Sequence, residues 1–258
     1  MKSHCEHSPE AKCPVRLSGR IRRYWSQRAS AFSQVRRQEL HSDKADRWWS
    51  EIAPYLPASD GGKPLRVLDV GTGAGFLAIL LARHGCEATG VDSSGPMLDE
   101  ARRLARQDGR HVTFLPMDAQ RLDFADGSFD CIVARNVTWT LLDPHAAYRE
   151  WWRVLRPGGC LLNFDADYGA VDFTALGGTT GQHAHAGMAH DLLREGERIR
   201  QELPLSRECR PHWDKETLAR IGFAGCSCDR ELSGRIFAVR DESFNPVPMF
   251  ALRAVKPS

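Results

Sequence analysis

No stretch of this 258-residue sequence is apolar for long enough to cross a bilayer. A spanning helix needs ~20 such residues, and here every apolar run is cut short by charge, Gly or Pro. The first fourteen residues lack the apolar core of a secretion signal; they are polar and dotted with His4, Cys5, His7 and Cys13. Neither sign of charge dominates. Lys plus Arg number 35 and Asp plus Glu 33, a net +2 that gives no global signature for a polyanion such as nucleic acid. Eight cysteines are too dilute in this length for a disulfide-stapled mini-domain, so free thiols and a reducing cytoplasm are expected. No repeat of fixed period is visible. With 42% hydrophobic and 26% charged residues, the chain is neither disordered throughout nor collagen-like.

What is present divides into four segments. Residues 1–57 read as a loose tail followed by a helical cap, with Ile21, Trp25, Phe32, Val35, Leu40, Trp48 and Trp49 as its apolar positions and Pro54 and Pro57 closing it. Residues 58–165 alternate strand and helix. Short apolar runs at 65–70, 87–91, 112–115, 129–134 and 160–164 predict strands. Between them, 76–83, 96–107 and 145–155 carry helical spacing, the last as the stripe Tyr148, Trp151, Trp152, Leu155. Such alternation implies right-handed βαβ units and a parallel sheet. Residues 166–213, rich in Gly, His and polar groups, read as an insertion covering a site. Residues 214–258 return to helix and strand and would complete the sheet.

The chemistry concentrates after the first predicted strand, in Asp69-Val-Gly71-Thr72-Gly73-Ala74-Gly75. Glycines there permit a tight turn and close backbone approach to a ligand, and the following helix offers free N–H groups. The third Gly comes one position too early for the dinucleotide pattern, which disfavours a nicotinamide dehydrogenase. No Gly-Lys-Ser/Thr follows, so it is not a P-loop. Asp92 ends the second strand, where a carboxylate can accept both hydroxyls of a ribose. Asp118, after the third, is placed for an adenine amino group.

These stretches, with Phe129-Asp130 before the fourth strand and Leu155-Arg-Pro-Gly-Gly159 before the fifth, resemble the class I S-adenosylmethionine-dependent methyltransferases over residues 60–165. Within that family the sequence is most similar to the small-molecule branch that includes quinone-biosynthesis enzymes. The resemblance implies an α/β Rossmann-like fold with a seven-stranded, mostly parallel sheet whose last strand is antiparallel, an N-terminal helical cap and an inserted lid. Segments 225–231 and 248–256 would supply strands six and seven. It implies S-adenosyl-L-methionine as cofactor and a small molecule as methyl acceptor. Asp69, Gly71, Thr72 and Gly73 would then line the methionine part, Asp92 would hold the ribose, and Ser93 and Met97 would lie beside the adenine. Asp118 and Ala119 would bind the adenine edge, and Arg135 and Asn136 would face the methyl-donor centre. Tyr24 and Arg28 look like part of an N-terminal helix closing over the cofactor carboxylate.

Other features compete for a role. Residues 12–37 hold eight Arg or Lys and no acid, read either as an anion contact or as a solvated helix face with acidic partners elsewhere. Cys226 and Cys228 share a strand face and with Cys209 raise arsenite methylation as an alternative; a non-catalytic cofactor-binding scaffold or sensor is another. His183 and His185, flanked by Gly177, Gly178, Gly181 and Gly187 as hinges, are candidate catalytic residues in the insertion, as are Asp165 and His212. The segment Arg210-Pro-His-Trp213 could position an acidic or aromatic substrate, and Trp139 could pack on it. No metal site is expected: the spacing of His4, Cys5, His7 and Cys13 fits no tight zinc pattern. The Asn-Pro-Pro-Tyr signature of amino-methylating nucleic-acid enzymes is absent, which favours a small acceptor over DNA or RNA.

Overall fold

A computed structural model describes residues 14–59, 61–176 and 188–258. The cap is two helices, α1 (Pro14–Leu40) and α2 (Asp43–Ile52). The core then runs β1 (Arg66–Val70), α3 (Phe76–Arg83), β2 (Glu87–Asp92), α4 (Gly95–Gln107), β3 (Thr113–Pro116), β4 (Phe129–Arg135), α5 (Pro144–Val154) and β5 (Leu155–Ala166). After it come α6 (Phe173–Leu176), α7 (His190–Glu202), α8 (His212–Ile221), β6 (Ala224–Asp229), α9 (Leu232–Ile236) and β7 (Met249–Val255).

The local causes are conventional chemistry. The Ser94 hydroxyl accepts from Met97 N at the start of α4, with Pro96 in the first turn. Asp143 caps α5 through Ala146 N at 2.8 Å, and Pro144 fixes its first φ. Each helix buries one stripe: Met97, Leu98, Ala101, Leu104 and Ala105 on α4, and Ala147, Tyr148, Trp151 and Val154 on α5. Val67, Leu68 and Val70 of β1 are fully buried because helices cover both faces of the sheet.

The seven strands lie in the order β3-β2-β1-β4-β5-β7-β6. Strands β1 to β5 pair in parallel, and β7 runs antiparallel to both β5 and β6. Strand order reverses between β1 and β4, so the crossovers diverge there and leave a crevice at the carboxyl ends. One boundary differs from expectation. The helix before strand five ends at Val154, and β5 starts at Leu155 rather than Cys160, pairing first with Phe129 and resuming after a bulge at Cys131–Cys160. Asp130 fixes this offset: its carboxylate accepts from Arg66 N and from Arg156 Nε, both at 2.7 Å.

Part of the basic run on α1 finds acids far away in sequence. Arg20 pairs with Glu195 at 2.8 Å and Glu202 at 2.7 Å, both on α7. Among the described residues no helix is long and apolar enough to cross a membrane.

Three expectations are corrected. Asp165, at the end of β5, does not open into the crevice. It is fully buried and accepts from Arg210 Nη1 at 2.9 Å and Trp139 N at 3.1 Å. Arg210 also donates to both oxygens of buried Asp214, at 2.9 and 2.8 Å, and Tyr148 donates its hydroxyl to Asp214 at 2.7 Å. The segment from Arg210 to Trp213 therefore clamps α8 to the sheet and does not line the crevice. His212 is a largely exposed side chain of α8, 3.1 Å from Glu216, and does not line the crevice. His183, His185 and the glycines at 177, 178, 181 and 187 lie outside the described residues.

Replacing Arg210 leaves two buried carboxylates facing each other without their shared cation, which typically costs ~3–5 kcal/mol. Arg210→Ala should lower the urea midpoint accordingly. A loss below ~1 kcal/mol would mean that the network contributes no more than a surface pair.

Candidate active site

The crevice at the β1/β4 switch point is the mouth of one cavity. Its floor is the loop after β1. Gly71 adopts φ +63°, and a Cβ there would meet Val137 Cγ2 at 2.3 Å, so no other residue fits. The loop is held by two carboxylates. Asp69 accepts from the Thr72 hydroxyl at 2.6 Å and Ala78 N at 3.0 Å. Asp92, at the tip of β2, accepts from Gly73 N at 3.0 Å and Ser94 N at 2.8 Å. A carboxylate has about four acceptor positions, so Asp92 keeps capacity for ligand hydroxyls. Burial raises the Asp92 carboxyl above its ordinary value, against these backbone hydrogen bonds.

Of the residues expected around a cofactor, Arg28, Asp69, Gly71, Thr72, Gly73, Asp92, Ser93, Met97, Asp118, Ala119, Arg135 and Asn136 all line this one cavity. Asp118 is exposed at its rim, accepting from Gln120 N at 2.9 Å. Tyr24 does not line it. Its ring is buried, and its hydroxyl lies 2.8 Å from where a Cβ on Gly196 of α7 would sit. Its link to the cavity is indirect: Arg28 Nη1 donates to the Tyr24 hydroxyl at 3.2 Å.

Sequence reasoning missed Phe32, Arg36, Phe173, Ser243 and Asn245, which also line the cavity. Arg28, Phe32 and Arg36 stand at i, i+4 and i+8 on α1, a helical face the acid-free basic run could have revealed. Phe32 packs over the glycine loop, 3.4 Å from a Cβ built on Gly73. Ser243 and Asn245, on the connection before β7, carry no local signal.

Behind Arg36 lies a buried cluster. Glu39 accepts from Arg36 at 2.6 Å, from Arg135 at 2.9 and 3.0 Å and from the Trp48 indole at 2.9 Å. Burial alone would raise the Glu39 carboxyl, but the Arg135 and Arg36 charges outweigh it and hold it below its usual value. Burial brings Arg36 down to about 10 despite Glu39, so it remains cationic at neutral pH. The far end of the cavity is aromatic. Trp139 stands 4.6 Å from Tyr168, 5.5 Å from Phe173 and 6.4 Å from Trp25, ring centre to ring centre. The Tyr168 hydroxyl donates to Asn136 Oδ1 at 3.0 Å and accepts from Asn245 Nδ2 at 2.8 Å. None of the described cysteines lines the cavity; Cys226 and Cys228 sit on β6, at the sheet edge. Among the described residues no three His, Cys, Asp or Glu side chains group as metal ligands.

A parallel sheet with a glycine loop at its switch point and an acid ending β2 defines a nucleotide-type cofactor fold. Comparison narrows the class: residues 68–163 match the family described as "Methyltransferase domain", and relatives of this stretch are named as quinone-biosynthesis methyltransferases. The chain is 43% identical over 125 residues to a demethylmenaquinone methyltransferase of Thermus thermophilus, covering 48% of this chain and 56% of that one. It is 29% identical over 151 residues to a ubiquinone biosynthesis O-methyltransferase of Coxiella burnetii, covering 53% and 64%. The chain thus spans about half the length of the curated relatives it matches. In fold it is similar to a Haemonchus contortus phosphoethanolamine N-methyltransferase in complex with S-adenosyl-L-methionine, with a TM-score of 0.62 and 18% identity over 92% of this chain and 60% of that one.

Asp69 generates a pH prediction. Burial lifts its carboxyl from an ordinary 3.8 to about 7, against its hydrogen bonds from Thr72 and Ala78. The folded state then binds this proton more tightly than the unfolded chain. The resulting stabilisation is complete below pH ~4 and fades as pH rises through about 7. Asp69→Asn cannot titrate, so wild-type stability relative to the variant should fall between pH 4 and 7 and level off above. Parallel urea-stability curves for the two proteins across that window would contradict the shift.

Proposed function

We propose that this protein transfers a methyl group from S-adenosylmethionine to a small-molecule acceptor by direct displacement. The observation that carries this reading is one cavity joining the Gly71–Gly73 loop and Asp92 at one end to an aromatic, arginine-lined wall at the other. When bound, the cofactor supplies an electrophilic methyl on a positively charged sulfur. Asp92 would hold its ribose, with Ser93 and Met97 beside the adenine and Asp118 and Ala119 at the adenine edge. Asp69 and residues 71–73 would line its methionine part, and Arg135 and Asn136 would face the methyl. Arg28, positioned by Tyr24, would serve the carboxylate.

The remaining residues align the acceptor. Trp25, Trp139, Tyr168 and Phe173 offer flat apolar surface, which suits a ring. The names of the demethylmenaquinone and ubiquinone relatives support the same acceptor type. Alignment against a fixed donor is the main source of rate in such a transfer, and water must be kept out. Helix α7, tied to α1 through Arg20 and Tyr24, would form the cover from within the 166–213 insertion. Arsenite methylation by the cysteines is disfavoured, because Cys209, Cys226 and Cys228 lie away from the cavity.

Calorimetry should detect binding of S-adenosylmethionine and none of NAD. Asp92→Ala should weaken that binding by ~1–3 kcal/mol through loss of a charged hydrogen-bond acceptor; unchanged affinity would remove Asp92 from the ribose. Cell extract incubated with methyl-labelled cofactor and the protein, read by mass spectrometry, should yield one labelled small metabolite. Cofactor binding with no labelled product would favour the non-catalytic reading.

A further inference from the structure

Asn136 stands just after β4, and its backbone is left-handed, at φ +57°. Such a φ is costly for most side chains and mild for Asn and Gly. Of those two, Asn alone brings a polar side chain to the cavity wall. The next residue, Val137, fills the space against Gly71, so Asn136 borders the glycine loop, where the cofactor reading places the methionine part.

An amide has two ends of opposite polarity, and a chain of hydrogen bonds decides which of them faces the cavity. The chain starts on the connection before β7. A backbone N–H can only donate, and Val247 N donates to Asn245 Oδ1 at 3.1 Å. The other end of the Asn245 amide is therefore its nitrogen, which donates to the Tyr168 oxygen at 2.8 Å. The one hydroxyl proton is left for Asn136 Oδ1, at 3.0 Å. Burial pushes the Tyr168 hydroxyl above its ordinary value, so it keeps that proton at neutral pH. Turning the Asn136 amide over would set its nitrogen against a hydroxyl that already receives a donor, and would strand the hydroxyl proton in a buried place. The origin of the chain is itself anchored: buried Lys44 of α2 donates to Ser243 Oγ at 2.7 Å and pairs with Asp241 at 2.5 Å. The Asn136 nitrogen ends the chain, and among the described residues it has no partner.

On the reading of the cavity as a methyl-transfer site, we propose that Tyr168 and Asn245 are positioning residues: they hold the Asn136 amide with its nitrogen, the positive end of its dipole, toward the sulfur of the cofactor. An N–H repels a sulfonium and tolerates a neutral thioether, whose lone pairs accept weakly. Methyl transfer breaks the carbon–sulfur bond, leaves its electron pair on sulfur and joins the methyl to a lone pair of the acceptor. An amide fixed in this sense interacts better as the charge on sulfur falls, so it favours the transition state over the bound reactant.

The test is calorimetry on the whole protein at about pH 9, read as the ratio of S-adenosylhomocysteine to S-adenosylmethionine affinity. Asn245→Asp is close in shape and, once ionised, cannot donate. Tyr168 would then donate to the new carboxylate and accept from the Asn136 nitrogen, which turns the amide oxygen to the sulfur. The preference for S-adenosylhomocysteine should fall by about five-fold or more, the scale of one hydrogen bond. In a Tyr168→Phe background the relay is cut, and Asn245→Asp should shift the ratio several-fold less, because only the direct field of the new charge remains. Equal shifts with and without the Tyr168 hydroxyl would overturn the proposal. Side-chain amide NMR reads the relay without ligand: Tyr168→Phe should move the NH2 signals of both Asn136 and Asn245, and unmoved signals would overturn it as well. If those signals move but the wild type binds neither cofactor form, the methyl-transfer reading falls and the oriented amide remains.

Discussion

The cavity depends on a single buried carboxylate. Glu39 ends the long cap helix in a place without solvent, where an unpaired charge would be prohibitive. It is paid for by Arg36 from its own helix, Arg135 from the end of β4 and the indole of Trp48 from α2. Those bonds fix the rotation of α1 about its axis. That rotation brings Phe32 down on the glycine loop and sets Arg28 and Arg36 on the cavity side. Arg135 is held in turn by stacking on Trp48 and Phe76, 4.2 and 5.1 Å from their ring centres. One anion thus joins the cap, the second helix and the central sheet, and it does so at the site rather than beneath it.

A second buried network has the opposite stoichiometry. Arg210 is shared by Asp165 and Asp214, and Tyr148 and Asn163 complete the hydrogen bonding behind them. Asp165, Arg210 and Asp214 do not line the cavity, which suits a structural task. Around Glu39 the cations outnumber the acid, and both arginines reach the cavity wall. Buried ion networks are weak evidence for stability in themselves. The sign of their imbalance is more telling: the network with acid in excess fastens α8 away from the cavity, and the one with cation in excess faces the space where a ligand would sit.

The sheet was legible in the sequence because β-branched runs and helical stripes alternate at regular spacing, and the Gly71–Gly75 turn and Asp92 follow from local pattern alone. Asp165 was misread for an instructive reason. Like Asp92 it ends a strand, and no nearby residue distinguishes the two. The difference is made by Arg210, 45 positions later, which reaches back and removes Asp165 from the crevice. The arginine wall was hidden in the same way. Glu39 and Arg135 are 96 positions apart, and only the fold makes them neighbours. Tyr24 was misplaced because adjacency on a helix says nothing about which face points inward.

Tyr24 also bears on how α7 and α1 are held together. Its hydroxyl packs where only Gly196 leaves room on α7, and the same hydroxyl accepts from Arg28 in the cavity wall. Arg20, one turn earlier on α1, reaches Glu195 and Glu202 on either side of that contact. These two ion pairs are partly exposed and contribute little individually, but they bracket a close-packed tyrosine and resist sliding of α7 along α1. Any displacement of α7 must therefore disturb the partner of Arg28. Helix α7 and the arginine-bearing face of α1 are thus coupled through one hydroxyl.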